Sequence, residues 1–308
     1  MKIGLQIYHF DWSGGPGSIG PKLGEIAQQA DVAGFASLWV MDHFFQIGEP
    51  FGPVEAPMLE GYTTLAYLAA LTQRIKLGLM VTGAFYRPPG LLVKTVTTLD
   101  VLSGGRAVLG IGAGWYQREA DGLGMRYPER AGERVDRLEE TLQIAKQMWT
   151  GDTRPYTGKY YHLEEPLNSP QPLSRPHPPI LIGGQRERML RLTAKYADAV
   201  NLHLGTPLPG YGEWMQQRYH NRREELGAVL DNLRRYCDEI GRQYEAIEKT
   251  VLGTIKLAPD AMSTAQIVDL CADLADIGIQ QAIFNMPDVH EGAALRLLGD
   301  VVLQVSAF

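Results

Sequence analysis

Several short groups of residues in this 308-residue chain have the composition of a reactive or binding site. Asp42 and His43 follow an apolar run, and a carboxylate beside an imidazole can accept and donate protons near neutral pH. Gly112-Ala113-Gly114 would let a flat molecule or a phosphate approach the backbone closely. Gly183-Gly184-Gln185-Arg186 combines free backbone N–H groups at a helix start with a cation, which together can bind an anion. These groups favour cofactor chemistry over attack by a side-chain nucleophile.

Each group also has a purely structural interpretation. Asp42 could cap the next element while His43 packs in a loop, although their position directly after a strand favours a functional role. The glycines could simply allow tight turns between a strand and a helix. Met80-Val81-Thr82-Gly83 could form a wall behind a planar ring, or it could merely fill the core. No metal site is predicted, because Asp42 and His43 alone are a poor ligand set.

Aromatic residues and further histidines occur close to these groups in the sequence. Trp115 and Tyr116 follow the glycine-rich turn, together with Glu119, and could line a site or cover a surface. Other aromatic residues that could contribute are Phe44, Phe45 and Tyr86. His9 and His203 also follow strand-like runs and are lesser candidates, which we expect to pack or to face solvent.

The groups described above occur within a regular alternation of strand-like and helical patterns along the chain. Eight apolar runs have the length of buried strands: Ile3–Ile7, Leu38–Met41, Ile75–Met80, Ala107–Ile111, Ile180–Ile182, Ala199–Leu202, Val251–Ile255 and Ala282–Phe284. Helical spacing occurs between them, for example near 61–73, 90–101, 185–196, 213–241, 263–276 and 290–305. Eight strands that alternate with helices predict an α/β fold of the (β/α)8 TIM-barrel type. A doubly wound open sheet is the rival, but the first turn lacks the dinucleotide-binding glycines.

We expect residues 1–308 to form one domain with one insertion. Residues 150–178 interrupt the alternation between the fourth helix and the fifth strand. They contain a predicted hairpin at Tyr156–Tyr160, and a proline-rich passage, Pro166–Pro179, follows it. In a barrel the C-terminal ends of all strands meet at one rim, so the groups described above would converge there.

Composition and charge argue against several classes of function. A net charge of −6 offers no basic surface for nucleic acid or an anionic membrane. No stretch approaches the roughly 20 apolar residues of a membrane span. Lys2–Ile7 has the pattern of a strand, not of a signal peptide, and Cys237 and Cys271 suggest neither a disulfide nor a zinc site. We therefore expect a cytoplasmic protein that acts on a small molecule.

Taken together and in order, these motifs resemble those of the luciferase-like oxidoreductases, in particular the branch that uses the deazaflavin coenzyme F420. The matching segments are Ser37–Ile47, Pro57–Thr64, Arg74–Gly78, Thr98–Ala107, Leu109–Trp115, Arg137–Glu140, Pro178–Gly184 and Tyr196–Ala199. The match covers residues 1 to about 205, and beyond that it rests on the alternation of strands and helices. The resemblance implies a luciferase-like TIM barrel whose insertion extends the rim. It also implies a homodimer, the common assembly of this family.

The resemblance assigns roles to individual positions. His43 matches an active-site histidine and Asp42 a position near the ring system, so both are candidate catalytic residues. Met80–Val81 matches the place where the family has a non-prolyl cis peptide behind the central ring. Residues 112–114 match the loop along the ribityl chain, and residues 183–186 match the segment at the phosphate and polyglutamyl tail. The implied cofactor-binding residues are Asp42, Met80, Val81, Thr82, Gly83, Gly112, Ala113, Gly114, Trp115, Gly183, Gly184, Gln185 and Arg186.

Two positions depart from the family pattern. Trp115 stands where the sugar-phosphate dehydrogenases of this branch have a catalytic glutamate, which implies a more apolar substrate. Gln185 stands where many relatives have a small residue, which changes the contact with the phosphate. Our leading hypothesis is an F420-dependent oxidoreductase that passes a hydride between the deazaflavin C5 and a small organic substrate, with His43 handling the proton. The alternatives are an FMN-dependent monooxygenase on the same scaffold and a non-catalytic flavin-binding or deazaflavin-binding protein.

Overall fold

A closed barrel of parallel strands organises the computed structural model, which describes residues 1–258 and 261–306. The strands are β1 (Lys2–Ile7), β2 (Ser37–Val40), β3 (Lys76–Leu79), β4 (Thr82–Gly83), β5 (Ala107–Gly112), β6 (Tyr156–Thr157), β7 (His162–Leu163), β8 (Ile180–Gly183), β9 (Ala199–Gly205), β10 (Glu248–Thr254) and β11 (Gln281–Asn285). The barrel order is β3-β2-β1-β11-β10-β9-β8-β5, and pairing of β3 with β5 closes it. This closure confirms the (β/α)8 prediction and excludes the open doubly wound sheet.

Helices surround the barrel, and most of them lie where the sequence predicts. They are α1 (Pro16–Ala33), α2 (Gly61–Leu71), α3 (Pro89–Leu102), α4 (Gln117–Gly122), α5 (Ala131–Trp149), α6 (Glu187–Tyr196), α7 (Glu213–His220), α8 (Arg222–Glu239), α9 (Thr264–Asp276) and α10 (Ala293–Val305). The prediction of one helical stretch over 213–241 is wrong. Asn221, with φ −91° and ψ 13°, ends α7 and begins α8. None of the helices in the described residues combines the length and apolar character that crossing a bilayer requires.

The barrel interior is filled by side chains and is not a channel. Trp39 of β2 is 2% exposed and packs inside the barrel with a small apolar cluster. Gly78 of the neighbouring strand makes room for it, because a Cβ there would lie 2.5 Å from the indole ring. Gly110 of β5 allows the barrel to close against β3, since a Cβ there would lie 1.9 Å from the Leu79 carbonyl oxygen. Side chains therefore fill the barrel interior around Trp39, and the C-terminal ends of the strands form the mouth.

The insertion forms the predicted hairpin, which continues to Leu163. Tyr156 pairs with Leu163 and Thr157 with His162 in antiparallel register. Glu140 of α5 holds the turn, because its carboxylate accepts hydrogen bonds from the backbone N–H groups of residues 159–161. The hairpin is thus anchored to α5, between that helix and β8.

Candidate active site

A cavity of about 630 Å³ opens among the C-terminal ends of the barrel strands. Most of the predicted site residues line it: His43, Met80, Val81, Gly83, Gly112, Ala113, Gly114, Trp115, Gly183, Gly184, Gln185 and Arg186. It also reaches Tyr86 and His203, which the sequence offered only as lesser candidates. Further lining side chains were not singled out: Met189, Asn201, Trp214, Arg218 and Leu252. A larger cavity of about 710 Å³ lies beside α8 and α9, and none of the predicted residues lines it.

Two predicted site residues, Asp42 and Thr82, do not line the cavity. The Asp42 carboxylate is 2% exposed and forms a two-pronged ion pair with Arg87, with N–O distances of 2.5 and 2.9 Å. Arg87 also binds Glu60 and lies 3.2 Å from the Thr82 hydroxyl. Burial lowers the pKa of the guanidinium, but its hydrogen bonds to Asp42 and Glu60 outweigh burial and raise the pKa above its ordinary value. Asp42 therefore holds Arg87 behind the cavity wall.

Glu119 is the carboxylate that reaches the predicted histidine. It lies on α4, is fully buried, and its Oε1 accepts hydrogen bonds from His43 Nδ1 at 2.8 Å and from the Tyr86 hydroxyl. Its Oε2 accepts hydrogen bonds from the backbone N–H groups of Phe44 and Phe45 at 2.7 and 3.3 Å. Burial alone would raise the pKa of the carboxyl, but the hydrogen bonds outweigh it and lower the pKa. Glu119 is thus ionised at neutral pH.

An ionised Glu119 determines which nitrogen of His43 carries a proton. A carboxylate can only accept, so Nδ1 must be the protonated nitrogen of the neutral ring. The lone pair is then on Nε2, which has no described hydrogen-bond partner, in a ring that lines the cavity. His43 can therefore take a proton from a bound ligand through Nε2, and Glu119 stabilises the resulting imidazolium.

The glycines of the mouth serve packing as well as access. The Met80–Val81 peptide is cis, as the resemblance implies, and Val81 packs against the ends of β5 and β8. A Cβ at Gly112 would lie 3.0 Å from a Val81 methyl group, and one at Gly183 would lie 3.2 Å from the same side chain. Larger residues would displace Val81. The glycines thus set the position of the apolar wall at Val81. The sequence-based interpretation included the wall but not this packing role of the glycines.

The opposite end of the cavity is cationic. Arg186 is exposed and makes no ion pair within the described part of the chain. Helix α6 begins directly after it without a side-chain cap, so its first backbone N–H groups are available to a ligand. Arg218 of α7 also lines this end, with its Nε 3.4 Å from a Glu225 carboxylate oxygen. These groups support the anion site expected at residues 183–186.

Arg87, Asn201 and Trp214 are among the residues of the site and its support that the sequence analysis did not name. Arg87 comes from the loop after β4, and Asn201 and Trp214 come from β9 and α7. His203, a lesser candidate that was expected to pack or face solvent, lines the cavity. Its position near the end of a barrel strand was the one available signal.

Comparison with known proteins identifies the family. The family model described as luciferase-like monooxygenase matches residues 5–261. The chain belongs to the luciferase-like monooxygenase family. This family contains enzymes, and the closed barrel with its insertion agrees with that membership.

The similar proteins have different activities by name. An F420-dependent glucose-6-phosphate dehydrogenase of Kineococcus radiotolerans is 34% identical over 47% of this chain and 41% of its own length. Pyrimidine monooxygenase RutA of Allorhizobium ampelinum is 30% identical over 46% of this chain and 38% of its own length. These matches span about two fifths of each relative. A coenzyme F420-dependent tetrahydromethanopterin reductase of Methanopyrus kandleri has the same fold, with a TM-score of 0.76 over 98% of both chains at 18% identity.

Proposed function

We propose that this chain is an F420-dependent oxidoreductase that passes a hydride between the deazaflavin C5 and a small organic substrate. The observation that carries the proposal is one cavity that joins a proton-accepting His43, an apolar wall at Val81 and a cationic end at Arg186. The F420-dependent relatives from Kineococcus radiotolerans and Methanopyrus kandleri support the choice of cofactor.

The residues of the cavity fit a planar ring with an anionic tail. The charged side chains among the described lining residues are two guanidiniums, and no lining residue is acidic. The Val81 wall is apolar and flanked by glycines, which suits the face of a ring. An anionic tail would be bound by Arg186 and the start of α6. When bound, the deazaflavin would supply or accept the hydride at C5.

The chain itself supplies proton handling and orientation. His43 accepts the substrate proton at Nε2 in the oxidising direction and returns it in the reducing direction. Glu119 holds the Nδ1 proton and fixes the ring, while the Tyr86 hydroxyl donates to the same carboxylate. This buried pair of Glu119 and His43 favours catalysis over the non-catalytic binding protein.

An FMN-dependent monooxygenase is the second candidate, because the similarity to pyrimidine monooxygenase RutA favours a monooxygenase. FMN also has a planar ring and a phosphate, so the anion site alone does not separate the two cofactors. Titration of the apoprotein with each cofactor does, because Trp115 lines the cavity and its fluorescence should report binding. We expect micromolar or tighter binding of F420 and at least tenfold weaker binding of FMN. Tighter binding of FMN would overturn the proposed cofactor.

Removal of the cation at the tail end should weaken binding of the anionic cofactor. We expect Arg186→Gln to raise the Kd of F420 by about tenfold, since a hydrogen bond to a charged group contributes about 1.5–3 kcal/mol. The loss should shrink as salt concentration rises. Arg154→Gln is the matched control, because Arg154 lies on the exposed insertion and pairs with Asp152 outside the cavity. Equal Kd values for wild type and Arg186→Gln would exclude Arg186 from the anion site.

We also propose a cytoplasmic location, from the sequence pattern and the two unpaired cysteines, and a homodimer, from the family resemblance.

A further inference from the structure

Strand β9 presents two polar side chains, Asn201 and His203, on the cavity wall. Residues two apart on a strand share one face, about 6–7 Å apart. They lie outside the positions expected to hold the cofactor on β3–β5 and β8, on the side of the cavity that α7 borders. Their hydrogen bonds to the barrel determine that Asn201 can offer a ligand an acceptor at Oδ1 and that His203 can offer a donor at Nε2.

The Asn201 amide is oriented by its neighbour on β10. Thr250 donates its only hydroxyl proton to the Val200 carbonyl oxygen at 2.9 Å, so its Oγ1 can only accept a further hydrogen bond. Asn201 Nδ2 lies 2.9 Å from that oxygen and must be the donor. The amide nitrogen therefore points to β10, and Oδ1 is left as an acceptor for a ligand in the cavity.

The His203 ring is oriented by its own strand. The Gly205 backbone N–H donates to His203 Nδ1 at 3.1 Å, and a backbone N–H cannot accept. Nδ1 therefore holds the lone pair and Nε2 carries the proton. Burial, with a smaller effect of Arg218, lowers the His203 pKa to about 4, which keeps this ring neutral at neutral pH. His203 thus offers the cavity a neutral donor, where His43 offers an acceptor.

We propose that Asn201 and His203 bind the organic substrate through a neutral group that donates one hydrogen bond and accepts another, either a hydroxyl or a cyclic amide. This inference rests on the proposed function, which places the cofactor against the other strands. A carboxylate or a dianionic phosphate ester has no proton for Asn201 Oδ1, and an ammonium has no lone pair for the His203 donor. Trp214, 60% exposed and packed on the His203 ring at 5.5 Å, adds an apolar surface for the body of the substrate.

Matched pairs of small probes test the proposal by calorimetry on the cofactor-loaded protein. The pairs are 2-pyridone with N-methyl-2-pyridone, and benzyl alcohol with benzyl methyl ether. In each pair, methylation removes the donor and keeps an acceptor. We expect the wild type to bind at least one parent tenfold or more tightly than its methylated partner, because a site built to hydrogen-bond a group rejects an analogue that lacks it.

Two variants separate hydrogen bonding from the bulk of the methyl group. Asn201→Ala removes the acceptor and leaves the Thr250 bond to Val200 in place, so the preference should fall to within twofold. His203→Asn keeps an acceptor for the Gly205 N–H but loses the donor at Nε2, so affinity for the preferred parent should fall by about tenfold.

The outcomes are distinct. A preference in the 2-pyridone pair assigns a cyclic amide, and one in the alcohol pair assigns a hydroxyl. A wild type that prefers neither parent, or a preference that survives Asn201→Ala, overturns the proposal. If the protein loads FMN and not F420, the proposed cofactor is wrong, but the same probe pairs on the FMN-loaded protein still decide the role of Asn201 and His203.

Discussion

Glu119→Gln should lower kcat by about 10³-fold while the protein stays folded. Oε2 of the carboxylate faces two backbone N–H groups, which cannot accept, so the glutamine oxygen must take that place. The amide NH₂ then faces His43 Nδ1 and the Tyr86 hydroxyl. Nδ1 must become the acceptor, and the proton moves to Nε2. His43 would then present a donor to the substrate where the reaction needs an acceptor, an inversion that costs about 10⁴-fold in a serine-protease triad.

The tautomer can be measured without any substrate. In ¹⁵N-histidine-labelled protein at neutral pH, the nitrogen shifts of His43 should report protonated Nδ1 in wild type and protonated Nε2 in Glu119→Gln. Tyr86→Phe removes only one hydrogen bond to Glu119 and should leave the tautomer unchanged. Glu129→Gln makes the same chemical change at an exposed position. An unchanged tautomer with turnover within twofold of wild type would contradict the role given to Glu119.

The barrel could be predicted from the sequence because its signal is local and repeated. A buried strand such as Ala107–Gly112 has apolar residues on both faces, and a helix such as α5 has apolar residues at 3–4 spacing. The ends of the predicted strands then indicate which residues lie at the mouth of the barrel, because the C-terminal ends of parallel strands lie at one rim. This is why the sequence places His43 and the glycine segments at the mouth, where they line the cavity.

The partners of those residues could not be predicted, because they depend on contacts between distant segments. Asp42 and Arg87 are 45 positions apart, and nothing in the local pattern around Asp42 shows that a guanidinium will reach it. Glu119 lies on the short helix α4, and its sequence pattern does not distinguish a buried carboxylate from a solvated one. The residue types at the strand ends therefore predicted proton transfer at the mouth of the barrel. The tertiary structure was needed to show that Glu119 binds His43 while Asp42 binds Arg87.

Asp42→Asn should destabilise the fold by about 3–5 kcal/mol, because breaking one side of a buried ion pair leaves the other charge uncompensated. The Asp42 side chain is 1% exposed and that of Arg87 is 12% exposed, so water cannot replace the lost carboxylate. Glu60 remains as a partner of Arg87, but its side chain is 39% exposed and belongs to the surface. The midpoint of urea unfolding should therefore fall clearly relative to wild type.

The same variant decides between the two roles considered for Asp42. If Asp42 is catalytic, Asp42→Asn should lower turnover and leave the stability of the fold unchanged. If Asp42 acts through its buried ion pair, the variant should lose stability, and turnover of its folded fraction should fall less than in Glu119→Gln. Asp152→Asn is the control, because it weakens an ion pair with Arg154 on the exposed insertion and should leave the midpoint unchanged. Combining Asp42→Leu with Arg87→Met removes both charges and should recover stability relative to Asp42→Leu alone, since no unpaired charge then stays buried. An unfolding midpoint unaffected by Asp42→Asn would show that Arg87 is adequately held by Glu60 and would return Asp42 to the list of candidate catalytic groups.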